Sequence, residues 1–146
     1  MTGEARSVRS AGLAEIPPDR LYRILQLRSV VFVMEQECPF LDPDGRDLEP
    51  GAIQWWIEDG EGDVVACLRV LQLEHGCEIG RVVTASRVRH RGLAGHLLRA
   101  ALAGCPRPVE LNAQTRLVPW YATFGFVRCG PDFLEDNQPH TPMRLE

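Results

Sequence analysis

VRHRGLAGHLLRAALAG, residues Val88–Gly104, joins a basic turn that contains glycine to an apolar, alanine-rich run. Its pattern predicts a strand that ends before the turn and a helix that begins after it. A glycine turn at that place exposes backbone N–H groups at the helix N-terminus, where the helix dipole also attracts anions. Alternating arginines beside the turn add charge that suits phosphate oxygens: Arg87, Arg89 and Arg91. We therefore expect Gly92 to let a phosphate or pyrophosphate group approach the backbone closely.

The motif is short, and an ordinary helix start with solvated arginines would give the same pattern. A second alternative, nucleic-acid binding through the three arginines, lacks interleaved aromatic residues and opposes the formal net charge of −4. We therefore expect no nucleic-acid partner. All 16 basic residues are arginine, so the chain offers no lysine amine of its own.

Length and composition fit one domain over residues 1–146, because 45% apolar residues are enough for a core at this length. No run of 18 apolar residues occurs, and the N-terminal stretch lacks the layout of a signal peptide. These features predict a cytoplasmic protein without a membrane partner. Five widely spaced cysteines form no C-x-x-C pair and the four histidines do not fall at zinc spacing, so we expect no metal.

Hydrophobic periodicity predicts helices and strands between turns that are rich in glycine and proline. Asp19 is expected to cap the first helix, which should fade near Met34 and lead into a long ordered loop over 35–51. The other expected elements are helices at 93–103 and 117–124 and strands at 7–10, 53–58, 64–73, 78–84, 109–114, 126–129 and 142–145. This order predicts an α+β fold with a mixed, mostly antiparallel sheet flanked by helices, and a central strand–helix–strand crossover over 78–114.

Two motifs on either side of one predicted strand resemble those of the GNAT N-acetyltransferases. R-H-R-G-L-A at 89–94 is similar to that family's pyrophosphate-binding Q/R-x-x-G-x-G/A signature. Y-A-T-F-G-F at 121–126 is similar to its Y-x-x-F-G-F segment. The segments 27–48 and 134–145 resemble the small bacterial ElaA-like branch, so the resemblance extends over about residues 20–145.

The resemblance implies a GNAT fold and an enzyme that moves an acetyl group from acetyl-CoA, its co-substrate, directly to a primary amine. It implies cofactor contacts from the basic turn, from the strand before it and from the crossover strand: Val82, Val83, Thr84, Arg89, His90, Arg91, Gly92, Leu93, Ala94, Gly95 and Asn112. A backbone N–H near Val82 or Val83 would polarise the thioester carbonyl. The alternative is a module that binds acetyl-CoA without catalysis.

The catalytic groups are also implied by the resemblance. Tyr121 would be the general acid that protonates the leaving thiolate, because a phenol is protonated at neutral pH. A core tyrosine among apolar neighbours is the structural alternative.

The base is less sharply indicated than the acid. Glu35 and His140 are the first candidates because they lie in segments typical of the branch, and structural hydrogen bonding is the alternative role for both. The other candidates are Glu78, Glu110 and a water chain. Gln54, where that branch tends to carry a histidine, cannot act as a base.

The acceptor is expected to be a small-molecule or peptide amine that carries positive charge. The loop 35–49 holds six acidic residues and one arginine. In GNAT proteins the segment after the first helix borders the acceptor side, so this loop would attract an ammonium group. A solvated acidic loop that only favours solubility is the alternative. The adjacent Trp55 and Trp56 must face opposite sides of a strand, which makes one of them a candidate contact with the partner chain of a homodimer.

Overall fold

The computed structural model describes residues 7–146, so the first six residues, which bear on the expected absence of a signal peptide, lie outside the described part. Three helices flank the sheet: α1 (Pro18–Arg28), α2 (Leu93–Gly104) and α3 (Val118–Ala122). Eight strands form the sheet: β1 (Val8–Gly12), β2 (Ile53–Glu58), β3 (Val64–Gln72), β4 (Cys77–Thr84), β5 (Val109–Gln114), β6 (Val127–Arg128), β7 (Phe133–Glu135) and β8 (Gln138–Leu145). In this part of the chain, each helix is too short or too polar to reach across a bilayer.

The sheet is mixed, with the strand order β1–β2–β3–β4–β5–β8–β6 and with β7 paired to β8. The central strands β4 and β5 run parallel, and α2 forms the crossover that parallel neighbours require. The other described strand pairs are antiparallel. The predicted α+β fold with its central crossover is confirmed.

Element boundaries differ from the sequence prediction at both ends of the chain. The first helix begins at Pro18, and Asp19 lies in its first turn instead of capping it. The fixed φ of proline suits that turn, and the carboxylate suits the positive end of the helix. From Ser29 to Glu35 the helix continues in π-helical turns. Near the C-terminus the prediction missed β7 and the start of β8 at Gln138, because strand pairing there extends a segment that two prolines mark as irregular.

The two faces of the sheet are covered by different helices. The larger apolar core lies between the sheet and α2 and includes Leu97, and the smaller one lies beneath α1 and includes Ile24. Trp55 packs against the larger core and Trp56 is buried in the smaller one, which confirms their opposite orientation. Trp56 is covered by its own chain, whereas Trp55 is half-buried, so a partner contact stays a prediction for Trp55 alone.

The parallel strands β4 and β5 stay together over only two residue pairs, Cys77 with Val109 and Glu78 with Glu110. Beyond these pairs β4 continues to Thr84 and β5 to Gln114 without pairing, so a cleft opens in the middle of the sheet. At this place β4 carries one extra residue relative to β3, which is a β-bulge that bends the strand. Arg81 lies in the bulge with a left-handed φ of +55°.

Arg81 belongs to a closed ring of six charged residues that joins α1, β3 and β4 to the loop after α1. Its ion pairs are Arg28–Asp42 (2.8 Å), Asp42–Arg81 (2.9 Å), Arg81–Asp44 (3.3 Å), Asp44–Arg69 (2.9 Å), Arg69–Asp47 (3.4 Å) and Asp47–Arg28 (2.8 Å). Arg28 and Asp42 are buried, with exposed fractions of 0% and 1%. Each arginine bridges two carboxylates, which suits the planar guanidinium better than a lysine ammonium. The ring fastens the loop to the bulge.

This arginine–aspartate ring corrects the negative field that we predicted for the loop 35–49. Five of the six acidic residues in the loop have an arginine partner: Glu35, Asp42, Asp44, Asp47 and Glu49. Burial raises the pKa of Asp44, but the hydrogen bonds from Arg69 and the Arg46 backbone, together with the charges of Arg69 and Arg81, outweigh it and lower that pKa to about 2. The sequence count missed this compensation because Arg28, Arg69 and Arg81 lie outside the loop. The loop is therefore a neutralised structural element.

We expect Asp42→Asn to lower the free energy of unfolding by about 3–5 kcal/mol, because it leaves buried arginine charge without its full compensation. Asp63→Asn is the matched control, since the pair of Asp63 with Arg23 is solvent-exposed and should contribute less than about 1 kcal/mol. Urea denaturation measures both losses. Equal losses in the two variants would contradict the assignment of the ring as a buried unit.

Candidate functional site

The cleft between β4 and β5 opens into a cavity of about 810 Å³. Its walls come from both halves of the sheet, the turn before α2, the end of the π-helical segment and the β7–β8 hairpin. The sequence-predicted site residues that line it are Val82, Val83, Thr84, Arg89, His90, Gly92, Leu93, Ala94, Gly95, Asn112, Tyr121, Glu35 and His140. The tertiary structure therefore brings together four separate segments at one place.

The turn before α2 presents backbone N–H groups at the edge of the cavity. His90 and Gly92 both have a left-handed φ, +66° and +74°, which folds the chain sharply before the helix. No side chain caps α2, and His96 N–H donates to Gly92 O at 3.0 Å, so the N–H groups of residues 93–95 lack partners within the helix. A Cβ at Gly92 would meet nothing within 4 Å. This open, uncapped turn suits a phosphate group.

Of the three alternating arginines, Arg89 is the one that lines the cavity. Arg87 turns toward the β2–β3 hairpin and pairs with Asp59 at 2.9 Å, and Arg91 is exposed outside the cavity wall. Arginines at alternate positions of an extended strand would point in the same direction. Here a 3₁₀ turn over Ser86–Val88 and the left-handed backbone of His90 interrupt the extended geometry, so the three side chains diverge. The expectation that three arginines surround one anion is therefore corrected to Arg89.

Arg89 is held at the cavity edge by the last residue of the π-helical segment. Its two terminal nitrogens donate to the Glu35 carboxylate, and Nε donates to Thr84 O at 3.1 Å. The hydrogen bond from Arg89 lowers the pKa of Glu35, and the same bond raises the pKa of Arg89. Glu35 is thus an ionised partner of the basic turn.

The free edge of β4 lies across the cleft from β5. Val83 and Thr84 pair with β3 on one side, whereas no strand within residues 7–146 pairs with the other edge of β4 beyond Glu78. Val82 lies within this unpaired stretch of β4 and lines the cavity. Asn112, in the middle of β5, lines the cavity from the other side of the cleft. An extended ligand could therefore add to β4 as a further strand.

Tyr121 enters the cavity from the side of the sheet that α2 covers. Its ring packs edge-to-face on Trp120 and Phe126, with centroid distances of 4.9 and 6.0 Å. The side chain is only 6% exposed, and burial raises the pKa of its hydroxyl. Tyr121 is both a core residue and part of the cavity wall. Its position is therefore compatible with the core role and with the acid role that the sequence suggested.

His140 lines the same cavity from β8. The imidazole Nδ1 lies 2.9 Å from Gln138 O, so Nδ1–H donates to this carbonyl, and in the neutral ring the lone pair is then on Nε2. Phe133 stacks on the ring with an interplanar angle of 25°. Nε2 lies 3.8 Å from Glu135 Oε2, too far for a hydrogen bond.

Residues 35–38 bridge the cleft, and the sequence analysis missed this contact. Gln36 Oε1 accepts hydrogen bonds from Gln114 Nε2 at 3.1 Å and Gln138 Nε2 at 3.4 Å. Cys38 Sγ–H donates to Asp136 O at 2.7 Å. No pattern in the sequence signals these bonds, because the glutamine partners lie 78 and 102 positions from Gln36.

The two other carboxylates considered as bases are already paired. Glu78 lines the cavity but accepts a hydrogen bond from Arg46 at 3.2 Å. Glu110 lies 3.8 Å from Arg144 and does not belong to the cavity wall. Both therefore fit a structural role.

Among the described residues, one group of carboxylates is close enough to share a cation: Asp59, Glu61 and Asp63 in the β2–β3 hairpin. Arg87 and Arg23 already pair with two of them, and the hairpin lies outside the cavity. This group therefore has no part in the site.

Comparison with known proteins agrees with this geometry. The family model described as "Acetyltransferase (GNAT) domain" matches residues 46–146. A UPF0039 protein of Mycobacterium tuberculosis is 43% identical over 128 residues, which are 84% of this chain and 82% of that protein. Protein ElaA of Escherichia coli is 36% identical over 143 residues, which are 91% of this chain and 92% of ElaA.

Two crystal structures are similar over nearly the whole chain. An acyl-CoA N-acyltransferase from Pseudomonas aeruginosa has a TM-score of 0.89 at 35% identity, with 97% of this chain and 100% of that chain covered. Escherichia coli ElaA has a TM-score of 0.89 at 32% identity, with 97% and 99% covered.

We expect the Glu35 carboxylate to remain ionised to a lower pH than an ordinary glutamate, because its pKa falls when Arg89 donates to it. In Arg89→Gln the midpoint of the Glu35 titration should rise toward the ordinary value. Carbon-13 NMR of the side-chain carboxyl measures both midpoints, with Glu74 on the exposed β3–β4 turn as internal reference. An identical Glu35 midpoint in the two proteins would show that the ion pair does not form in solution.

Proposed function

This chain belongs to the GNAT acetyltransferase family, in its ElaA-like branch, and we propose that it transfers an acetyl group from acetyl-CoA directly to a primary amine. Acyl transfer in general follows from the family and from the fold shared with an N-acyltransferase. The observation that carries the finer proposal is the cleft between β4 and β5. The uncapped turn of α2 lies at one end of it, and Tyr121 and His140 lie on opposite walls.

Acetyl-CoA would bind along the cleft with its pyrophosphate at the turn of residues 89–95. The three helix N–H groups without partners and the open space at Gly92 support this position. Arg89 would exchange Glu35 for a phosphate oxygen, which is the same kind of charge-assisted partner. The pantetheine arm would pair with the free edge of β4 at Val82–Thr84.

The acyl group would lie where the cleft narrows. A backbone N–H of the bulged strand near Val82 or Val83 would donate to the thioester oxygen as negative charge develops on it. Tyr121 supplies the proton for the leaving thiolate, since burial keeps its phenol protonated at neutral pH. The new C–N bond forms as the C–S bond breaks, and the phenol proton passes to sulfur.

His140 is better placed than Glu35 to accept the proton of the incoming amine. Glu35 binds Arg89 beside the turn proposed for the pyrophosphate, which places it at the phosphate end of the cleft and away from the acyl group. His140 keeps an Nε2 lone pair at the cavity. Side chains alternate along a strand, so Leu111 and Gln114 of β5 face opposite sides of the sheet. Leu111 lies in the same core as Tyr121, and Gln114 pairs with His140. The acid and the base therefore approach from different sides.

A module that binds acetyl-CoA without catalysis is the second candidate, because the turn and the β4 edge would suffice for binding. Turnover separates the two candidates. An enzyme releases free thiol from acetyl-CoA only when an amine is present, whereas a binding module releases none. A panel of primary amines with thiol detection makes this measurement.

We expect Gly92→Asp to abolish acetyl-CoA binding, because a carboxylate would project into the position proposed for the pyrophosphate. Calorimetric titration with acetyl-CoA measures the loss. Gly92→Ala is the matched control, since it carries the same cost of a left-handed φ, about 1–2 kcal/mol, without the charge. Unchanged affinity in folded Gly92→Asp would place the phosphates elsewhere.

Tyr121→Phe should lower the turnover number by roughly 10²–10⁴-fold, the range typical of a general acid, while acetyl-CoA affinity stays near that of the unmodified protein. The phenyl ring preserves the edge-to-face packing on Trp120 and Phe126, so the fold should be retained. Single-turnover thiol release measures the chemical step. A rate equal to that of the unmodified protein would refute the acid role.

A further inference from the structure

The acidic residues at the cavity that have no arginine partner within residues 7–146 lie on the β7–β8 hairpin, and the cavity wall also contains Arg116, which donates to Gln114 Oε1 at 2.7 Å. Five acidic residues line the cavity: Glu35, Asp44, Glu78, Glu135 and Asp136. The first three each pair with an arginine: Glu35 with Arg89, Asp44 with Arg69, and Glu78 with Arg46. Glu135 has no arginine partner within residues 7–146, and its charged neighbour there is His140.

The hairpin holds Glu135 at a defined place beside His140. Asp136 and Asn137 form its two-residue turn with φ values of +49° and +62°, the backbone of a tight β-hairpin. Cys38 Sγ–H donates to Asp136 O and fastens the turn to the bridging segment 35–38. Phe133, on the same strand as Glu135, stacks on the His140 ring. The carboxylate is therefore supported by its own strand and by the far side of the cleft.

We propose that Glu135 selects the acceptor by binding a second positive charge of the substrate while the amine that reacts lies at Nε2 of His140, so that the substrate is an amine with a further cationic group. The proposal rests on the acetyl transfer proposed above. Glu135 Oε2 lies 3.8 Å from Nε2, beyond hydrogen-bond distance, so the carboxylate is not consumed by the ring and stays within reach of a second charge on a substrate whose reacting amine is at Nε2. A side chain that is 50% exposed remains open to an arriving solute. The hairpin takes the role that charge counting assigned to the loop 35–49.

The proton balance of this step is simple. The reacting ammonium group passes one proton to Nε2, which gives a neutral amine and an imidazolium next to the Glu135 carboxylate. The amine lone pair then forms the C–N bond, and the thiolate leaves with the C–S electron pair and takes the phenol proton of Tyr121. The new amide nitrogen loses its second proton to the Tyr121 phenolate, which restores the phenol. One proton is therefore released in all, and His140 passes it to solvent.

The test compares three primary amines of equal length and different charge: 1,4-diaminobutane, 1-aminobutane and 4-aminobutanoate. We measure kcat/KM for each by thiol release from acetyl-CoA, in the unmodified protein and in Glu135→Gln. The unmodified protein should prefer the diamine and should use the carboxylate-bearing amine least. In Glu135→Gln the ratio of diamine to aminobutanoate should fall by about fivefold, as expected for an exposed ion pair. Glu135→Arg should invert the preference.

Glu74→Gln on the β3–β4 turn is the control for loss of one exposed negative charge, and its ratio should equal that of the unmodified protein. If Glu135 only positioned His140, Glu135→Gln would lower all three rates by the same factor and leave the ratio unchanged, which would overturn the proposal. Thiol release with an unchanged ratio therefore refutes acceptor selection alone. No thiol release with any amine would refute the acetyl transfer itself, and the selection with it.

Discussion

The ion pairs of Arg81 with Asp42 and Asp44 fix the bulge of β4, next to the place where β4 stops pairing with β5. A residue other than glycine with a φ of +55° stores strain that the surrounding structure must offset. Without the bulge, β4 could continue to pair with β5 along its length, and the sheet would close. The cleft, the free edge of β4 and the cavity that Tyr121 and His140 share would then be absent.

The arginine–aspartate ring explains how the aspartates of an acidic loop can lie at or near the cavity without adding net charge to it. Buried carboxylates are stable only when opposite charges and hydrogen bonds compensate for lost hydration. Each guanidinium of the ring reaches two carboxylates, so three arginines and three aspartates close on themselves. The ring therefore fixes the loop after α1 and the bulge of β4 relative to each other. Any net charge at the cavity comes from residues outside the ring.

The cleft brings together side chains from the two faces of the sheet, and the proposed acid and base come from different faces. The turn of α2 and Tyr121 belong to the face that α2 covers, whereas Asn112, Gln114 and His140 belong to the other. Residues 35–38 connect these sides, because Glu35 reaches the turn and Gln36 reaches β5 and β8.

Features that depend on local periodicity and turn chemistry could be predicted from the sequence. They include the crossover from β4 through α2 to β5 and the glycine turn before α2. Both depend on residues close together in the chain, through hydrophobic spacing in the first case and a left-handed φ in the second. Which charges meet depends on the folded structure. Arg28 pairs with Asp47 as one link of the ring, Arg89 turns to Glu35 while Arg91 does not, and Glu135 lies beside His140. Side-chain partners distant in the chain are set by the packing of whole elements, and neither composition nor spacing encodes that packing.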